Sequence, residues 1–141
     1  MKRWTLVALP VLALGVAAFA RPGRAPAPAT IRVRMLQQGS QYKFDPANFT
    51  VHVGELVEFV NVSGGPHNVQ FDPAHIPQGA LAFLLRAMPT KMAPNQPASP
   101  MMMTPNQVYR ISFAGAPVGT YNYFCLPHQA LGMKGIITVA Q

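Results

Sequence analysis

A cysteine, a histidine and a methionine fall within nine residues near the C-terminus, in the run Cys125-Leu126-Pro127-His128-Gln129-Ala130-Leu131-Gly132-Met133. Thiolate, imidazole and thioether on one turn are soft or borderline donors, and that combination selects copper over the hard cations. One more imidazole would complete a His₂Cys set with a weak axial methionine. Of the four histidines, His67 is the candidate, because Gly65-Pro66 places it at the entry to a strand. His52 lies within a strand, and His75 within a proline-rich excursion. Taken singly each donor has a plainer reading, since a lone buried cysteine packs as a small hydrophobe and a lone methionine fills space. Taken together, the C-x-x-H-x-x-x-x-M spacing and the upstream Pro-His point to a metal held by His67, Cys125, His128 and Met133.

Such donors need a rigid frame. The chain has 141 residues, half of them apolar, with 15 prolines and 11 glycines. That suits one small domain of short strands and leaves little room for long helices. Ile31, Val33 and Met35 alternate with Arg32 and Arg34, as a strand with one buried face requires. Phe49, Val51 and Val53 alternate likewise, and after a turn at Gly54-Glu55 the pattern resumes from Leu56 to Asn61, which reads as a hairpin. Ser63 to Pro66 break the pattern, and His67 to Phe71 restore it. From Asp72 to Gln107 the sequence carries seven prolines and five methionines. One short helix is expected there, on Leu81, Leu84, Leu85 and Met88. Strands return at Val108 to Phe113, Thr120 to Cys125 and Gly135 to Val139. The expectation is an all-β fold, a β-sandwich of seven to eight strands with one short helix in a long loop.

Residues 1–20 read as a secretory signal: Met1-Lys2-Arg3 is basic, Trp4 to Ala17 is almost wholly apolar, and Ala18-Phe19-Ala20 has the small-x-small form of a cleavage site. Pro10 and Gly15 interrupt an apolar stretch already short for a membrane span, so no stable span is expected after cleavage. Residues 21–29 form a Pro/Ala-rich linker and residues 30–141 the domain, which is expected to be periplasmic or otherwise exported and monomeric. A single cysteine has no internal disulfide partner, leaving the thiol for another purpose. The net charge of +7 is scattered, with no basic run or phosphate loop, so nucleic acid is not an expected partner. Ordinary solubility explains the charge as well as does attraction to an acidic protein or an anionic membrane surface.

The sequence resembles the cupredoxin family, in its plastocyanin and pseudoazurin branch. The resemblance is carried by Phe44-Asp45-Pro46, by Val53 through Asn61, by Pro66-His67-Asn68, and by Gly119-Thr120-Tyr121 through Met133-Lys134-Gly135. It implies an eight-stranded Greek-key sandwich with one type 1 copper, Cu(I)/Cu(II), bound by His67, Cys125, His128 and Met133, shuttling single electrons between larger redox proteins. It also implies that the Asn68 backbone amide donates to the Cys125 sulfur, while Pro127, lacking an N–H, withholds a second donor. The docking face implied is an apolar patch around His128 formed by Pro127, Ala130, Leu131 and Gly132 with Gly64-Gly65-Pro66.

The chain also departs from that pattern. Phe124 stands where plant plastocyanins carry tyrosine, and four acids in the whole chain leave no acidic docking patch, which favours acidic partners. Met88, Met92, Met101, Met102 and Met103 suggest an alternative, copper storage or delivery through weak Cu(I) binding. Their plainer reading is a mobile, oxidation-prone apolar loop. An enzyme is not expected. A thiol enzyme using Cys125 as nucleophile and His128 as base lacks a legible oxyanion donor and orienting group, and His52 and His75 do not supply the extra centres of a multicopper enzyme.

Overall fold

The computed structural model describes residues 27–141; the expected signal and residues 21–26 of the expected linker lie outside the described residues. Eight strands follow in order: β1 Thr30–Gln38, β2 Gln41–Asp45, β3 Asn48–His52, β4 Leu56–Asn61, β5 Gln70–Phe71, β6 Val108–Ser112, β7 Gly119–Phe124 and β8 Lys134–Ala140. A helix α1, Ala80–Ala87, follows β5, and a 3-10 turn, Leu126–Leu131, joins β7 to β8. The strands form two four-stranded sheets, ordered β2-β1-β4-β6 and β3-β8-β7-β5. The pairs β1/β4 and β3/β8 are parallel and the others antiparallel.

Period-two alternation builds the core. Gly135, Ile137 and Val139 of β8 face inward while Ile136 and Thr138 face out, and Val33 and Met35 do the same on β1 between the outward Arg32 and Arg34. The two inner faces meet through Phe44, Phe59, Phe71, Tyr121 and Tyr123. Each such apolar side chain taken out of water contributes about 1.5–3 kcal/mol. On the outer face, Glu58 of β4 is bonded by Arg32 of β1 at 3.1 Å and Arg110 of β6 at 2.7 Å, tying three neighbouring strands together.

Four expectations about local structure change. The segments expected as a hairpin, β3 and β4, belong to opposite sheets: β3 pairs with β8 and β4 with β1 and β6. Alternation records that a strand has one buried face, not which strand lies beside it. The strand β2, which the sequence reading passed over, carries Tyr42 and Phe44 toward the interior. Helix α1 buries Ala80, Phe83 and Leu84, with Met88 beyond it, while Leu81 is exposed. Its buried face therefore keeps Leu84 and Met88 of the expected stripe but loses Leu81, because Phe83 takes the inward position and packs against Phe113 with ring centroids 6.0 Å apart. Last, the methionine-rich excursion is not a detached loop. Its returning limb lies along residues 67–71, with bridges His67↔Met102 and Gln70↔Ala98.

Candidate metal centre

Two loops meet at one end of the sandwich. The first leaves β4 through Asn61 and turns at Gly64, whose φ of +75° is left-handed; a β-carbon there would lie 2.3 Å from Gln37 Cβ. The loop then delivers His67 to the interior, where backbone bonds to Met102 of 3.1 and 2.7 Å fix it on one side. The His67 Nε2 lies 2.9 Å from the Ser63 carbonyl oxygen. A carbonyl can only accept, so Nε2 carries the proton and Nδ1 keeps a free lone pair.

The second loop begins at Cys125, directly after β7. Pro127 opens the 3-10 turn, and Gly132, in a left-handed conformation with φ of +87°, ends it. Backbone bonds run from His128 N to Cys125 O, from Met133 N to His128 O and from Cys125 N to Met133 O, each 3.1 Å. The turn thus closes on itself and carries Cys125, His128 and Met133 together. The Asn68 side chain joins the two loops, its Oδ1 accepting from Leu126 N at 2.7 Å.

The donors converge. Cys125 Sγ lies 3.6 Å from His67 Nδ1 and 3.5 Å from His128 Nδ1, and the three ligand atoms all fall within 4.8 Å of one another. Nitrogen and sulfur held about 2.0–2.3 Å from a shared ion are separated by about 3.5–3.8 Å, so the donor set fits a metal. His67, Cys125 and Met133 are fully buried and His128 is 8% exposed. The structure brings two imidazoles and the thiol together, with buried Met133 bonded through its backbone to both Cys125 and His128.

The electrostatics suit ligation. Burial holds the pKa of both imidazoles below the usual histidine value. The Ser63 carbonyl opposes that shift at His67, and the charge of His67 adds to it at His128. Neutral rings present lone pairs. Burial pushes the Cys125 thiol up, while the backbone amides of Asn68 and His128 favour its anion.

The sequence reading missed Tyr42 of β2, whose ring stacks on the His128 imidazole with centroids 3.8 Å apart and planes 11° from parallel. The alternation of Tyr42 and Phe44 with polar neighbours was a signal that β2 is a strand; its proximity to a turn 86 positions later was not legible. The five methionines of the excursion are dispersed. Met88 and Met102 are in the core, Met101 is half-buried, and Met92 and Met103 are exposed. Beside Phe124, an open cleft of about 390 Å³ includes Asp72, whose carboxylate is paired with His75 at 2.7 Å.

Two sheets closed over an aromatic core, with soft donors gathered at one end, define a cupredoxin, a copper protein built on a β-sandwich. A family model for copper binding proteins of the plastocyanin/azurin family matches residues 31–140. The plastocyanin of Scenedesmus fuscus is 37% identical over 109 residues, covering 77% of this chain and 98% of that protein. The plastocyanin of Nostoc punctiforme is 33% identical over 140 residues, covering 99% and 94%. Among solved structures, oxidised plastocyanin from Dryopteris crassirhizoma gives a TM-score of 0.60 at 32% identity, covering 78% of this chain and 100% of that one. Auracyanin from Roseiflexus castenholzii, reduced with dithionite, gives 0.54 at 28%, covering 82% and 100%. The chain belongs to the plastocyanin/azurin family of copper-binding proteins, and its cofactor is one type 1 copper ion.

Proposed function

We propose that this chain is an exported one-electron carrier whose copper is held by His67, Cys125, His128 and, axially, Met133. The observation that carries this reading is the convergence of two imidazole nitrogens and one thiol sulfur at the end of a rigid sandwich. Copper, when bound, supplies the one-electron couple. The chain's own residues do the rest. Burial of Cys125, His67 and Met133 excludes water, so little solvent reorganises when charge changes. The Ser63 carbonyl fixes the His67 tautomer, and the Asn68 backbone amide, as the resemblance implies, donates to the sulfur and tunes its electron density.

The electron leaves by the side of His128. That residue keeps a sliver of surface, and Leu126 and Leu131 around it are 44% and 59% exposed. Such an apolar face lets a partner approach without desolvating charge, as small transient redox interfaces require. The excess of 11 lysines and arginines over 4 acids supports acidic redox proteins over basic ones as partners. The leader-like residues 1–20, followed by the linker 21–29 and a domain from 30 to 141, support export to the periplasm or an equivalent compartment. Among the described residues no helix is long and apolar enough to cross a membrane.

A carrier rather than an enzyme is supported by the full burial of the thiol. The storage or delivery alternative draws little support from methionines divided between core and surface. A spectroelectrochemical titration in the presence of a Cu(I) chelator separates these readings. One reversible electron per copper with the metal retained is the result expected of a carrier. Surrender of Cu(I) to the chelator without reversible cycling would move the conclusion to delivery.

A further inference from the structure

We infer that Tyr42 is a positioning residue of the metal centre: its ring, lying flat on the His128 imidazole, holds that ligand in one orientation in both oxidation states. The inference rests on the reading of His128 as a ligand. The stack is face to face, at 3.8 Å and 11°, and the same tyrosine meets the His67 ring edge-on at 6.3 Å. Cys125 Sγ lies 3.5 Å from His128 Nδ1, and the His67 ring stands edge-on to His128 at 4.9 Å. The exposed flank of the turn, at Leu126, Pro127, Ala130 and Leu131, offers the imidazole no comparable wall.

What makes Tyr42 suited to the task is where it is anchored. It sits on β2, in register with Gln37 of β1, and so belongs to the sheet opposite the one from which the His128 turn emerges. A ligand on a self-closed turn is thereby clamped by a strand that does not move with that turn. Stacking leaves the imidazole unable to tilt without losing overlap or striking the phenol. Aromatic pairs of this kind are worth up to about tenfold in an equilibrium beyond their buried area. The ring faces make the contact and the hydroxyl does not, so phenylalanine should serve as well as tyrosine.

The test compares copper-loaded full-length wild type with Tyr42→Phe and Tyr42→Leu. In the diamagnetic Cu(I) form, NMR should show the His128 ring protons shifted upfield by the tyrosine ring current in wild type and Tyr42→Phe, and unshifted in Tyr42→Leu. Transfer of Cu(I) to excess chelator should be at least threefold faster in Tyr42→Leu and within twofold of wild type in Tyr42→Phe, with the apo proteins' denaturation midpoints recorded alongside. A Tyr42→Leu rate less than threefold above wild type, or a Tyr42→Phe as fast as Tyr42→Leu, overturns the inference. If Tyr42→Leu does not fold, wild-type His128 protons without the upfield shift overturn it. A wild type that takes up no copper defeats the ligand reading and this inference with it, whereas a blue wild type indifferent to residue 42 defeats this inference alone.

Discussion

The two loops that meet at the metal centre are built on opposite plans. The Cys125–Met133 turn is held by bonds among its own residues, through Cys125, His128 and Met133, and carries three of the four proposed ligands. The His67 loop carries one, and beyond the local Ser63 carbonyl on the His67 ring its fixings come from far along the chain: Met102 on one side, Gln37 beneath Gly64, and Leu126 bonded to the Asn68 side chain. A local turn keeps its shape wherever the sheet places it. A loop held by distant contacts keeps its shape only while the whole sandwich stands, and it is there that metal affinity is coupled to fold stability.

Removing the distant donor should have the largest effect. His67→Ala leaves the three-donor turn intact but opens the site, and copper affinity should fall by more than roughly a hundredfold, beyond what loss of a supporting partner costs, with the blue band lost. Competition against a calibrated chelator measures this. Retention of a blue centre with near-native affinity would mean that the C-terminal turn suffices alone and that the two-loop picture is wrong.

The same small substitution in each loop sharpens the contrast. Gly64 and Gly132 both have left-handed backbones, with φ of +75° and +87°, and a side chain there costs about 1–2 kcal/mol. At Gly132 nothing lies within 4 Å of the added β-carbon, whereas at Gly64 it meets Gln37 Cβ at 2.3 Å. Overpacking adds about 1–3 kcal/mol, so Gly64→Ala should destabilise the apo protein by about 2–5 kcal/mol in urea titrations and Gly132→Ala by about 1–2 kcal/mol. Equal losses would remove the distinction between a loop locked from outside and one that is free-standing.

The smallest effect belongs to the frame under both loops. Hydrogen bonds from Arg110 and then Arg32 hold the Glu58 carboxyl below its ordinary value against the opposing effect of burial. A depressed carboxylate pKa stabilises the fold above the unfolded value of about 4.3, and this stabilisation is lost as pH falls through the lower folded value. Apo-protein stability should therefore decline below about pH 4.3, and Glu58→Gln should flatten that decline. An unchanged acid limb in the variant would remove Glu58 from the account.

The difference between the loops also explains what the sequence made legible. Cys125, His128 and Met133 are close in sequence and lie on one self-closed turn, so their spacing, with the upstream Pro66-His67, pointed to a site. His67 was reachable because Gly65-Pro66 marks a loop entering a strand. Tyr42, the Asn68 side chain and the Met102 backbone act across separations of 86, 58 and 35 positions, and local pattern carries no such information. The fold divides in the same way. Alternation identified most strands and the sandwich, but it paired β3 with β4 where the sheets pair β3 with β8. It also treated the methionine-rich excursion as a mobile loop where its returning limb forms a wall of the His67 site.

The most direct test of the central claim is the absorption spectrum of the chain loaded with one equivalent of Cu(II), taken before and after ascorbate and repeated on Cys125→Ser. An intense blue thiolate charge-transfer band that bleaches on reduction and is missing from the variant is the predicted result. A colourless loaded protein, or a variant as blue as wild type, would contradict it.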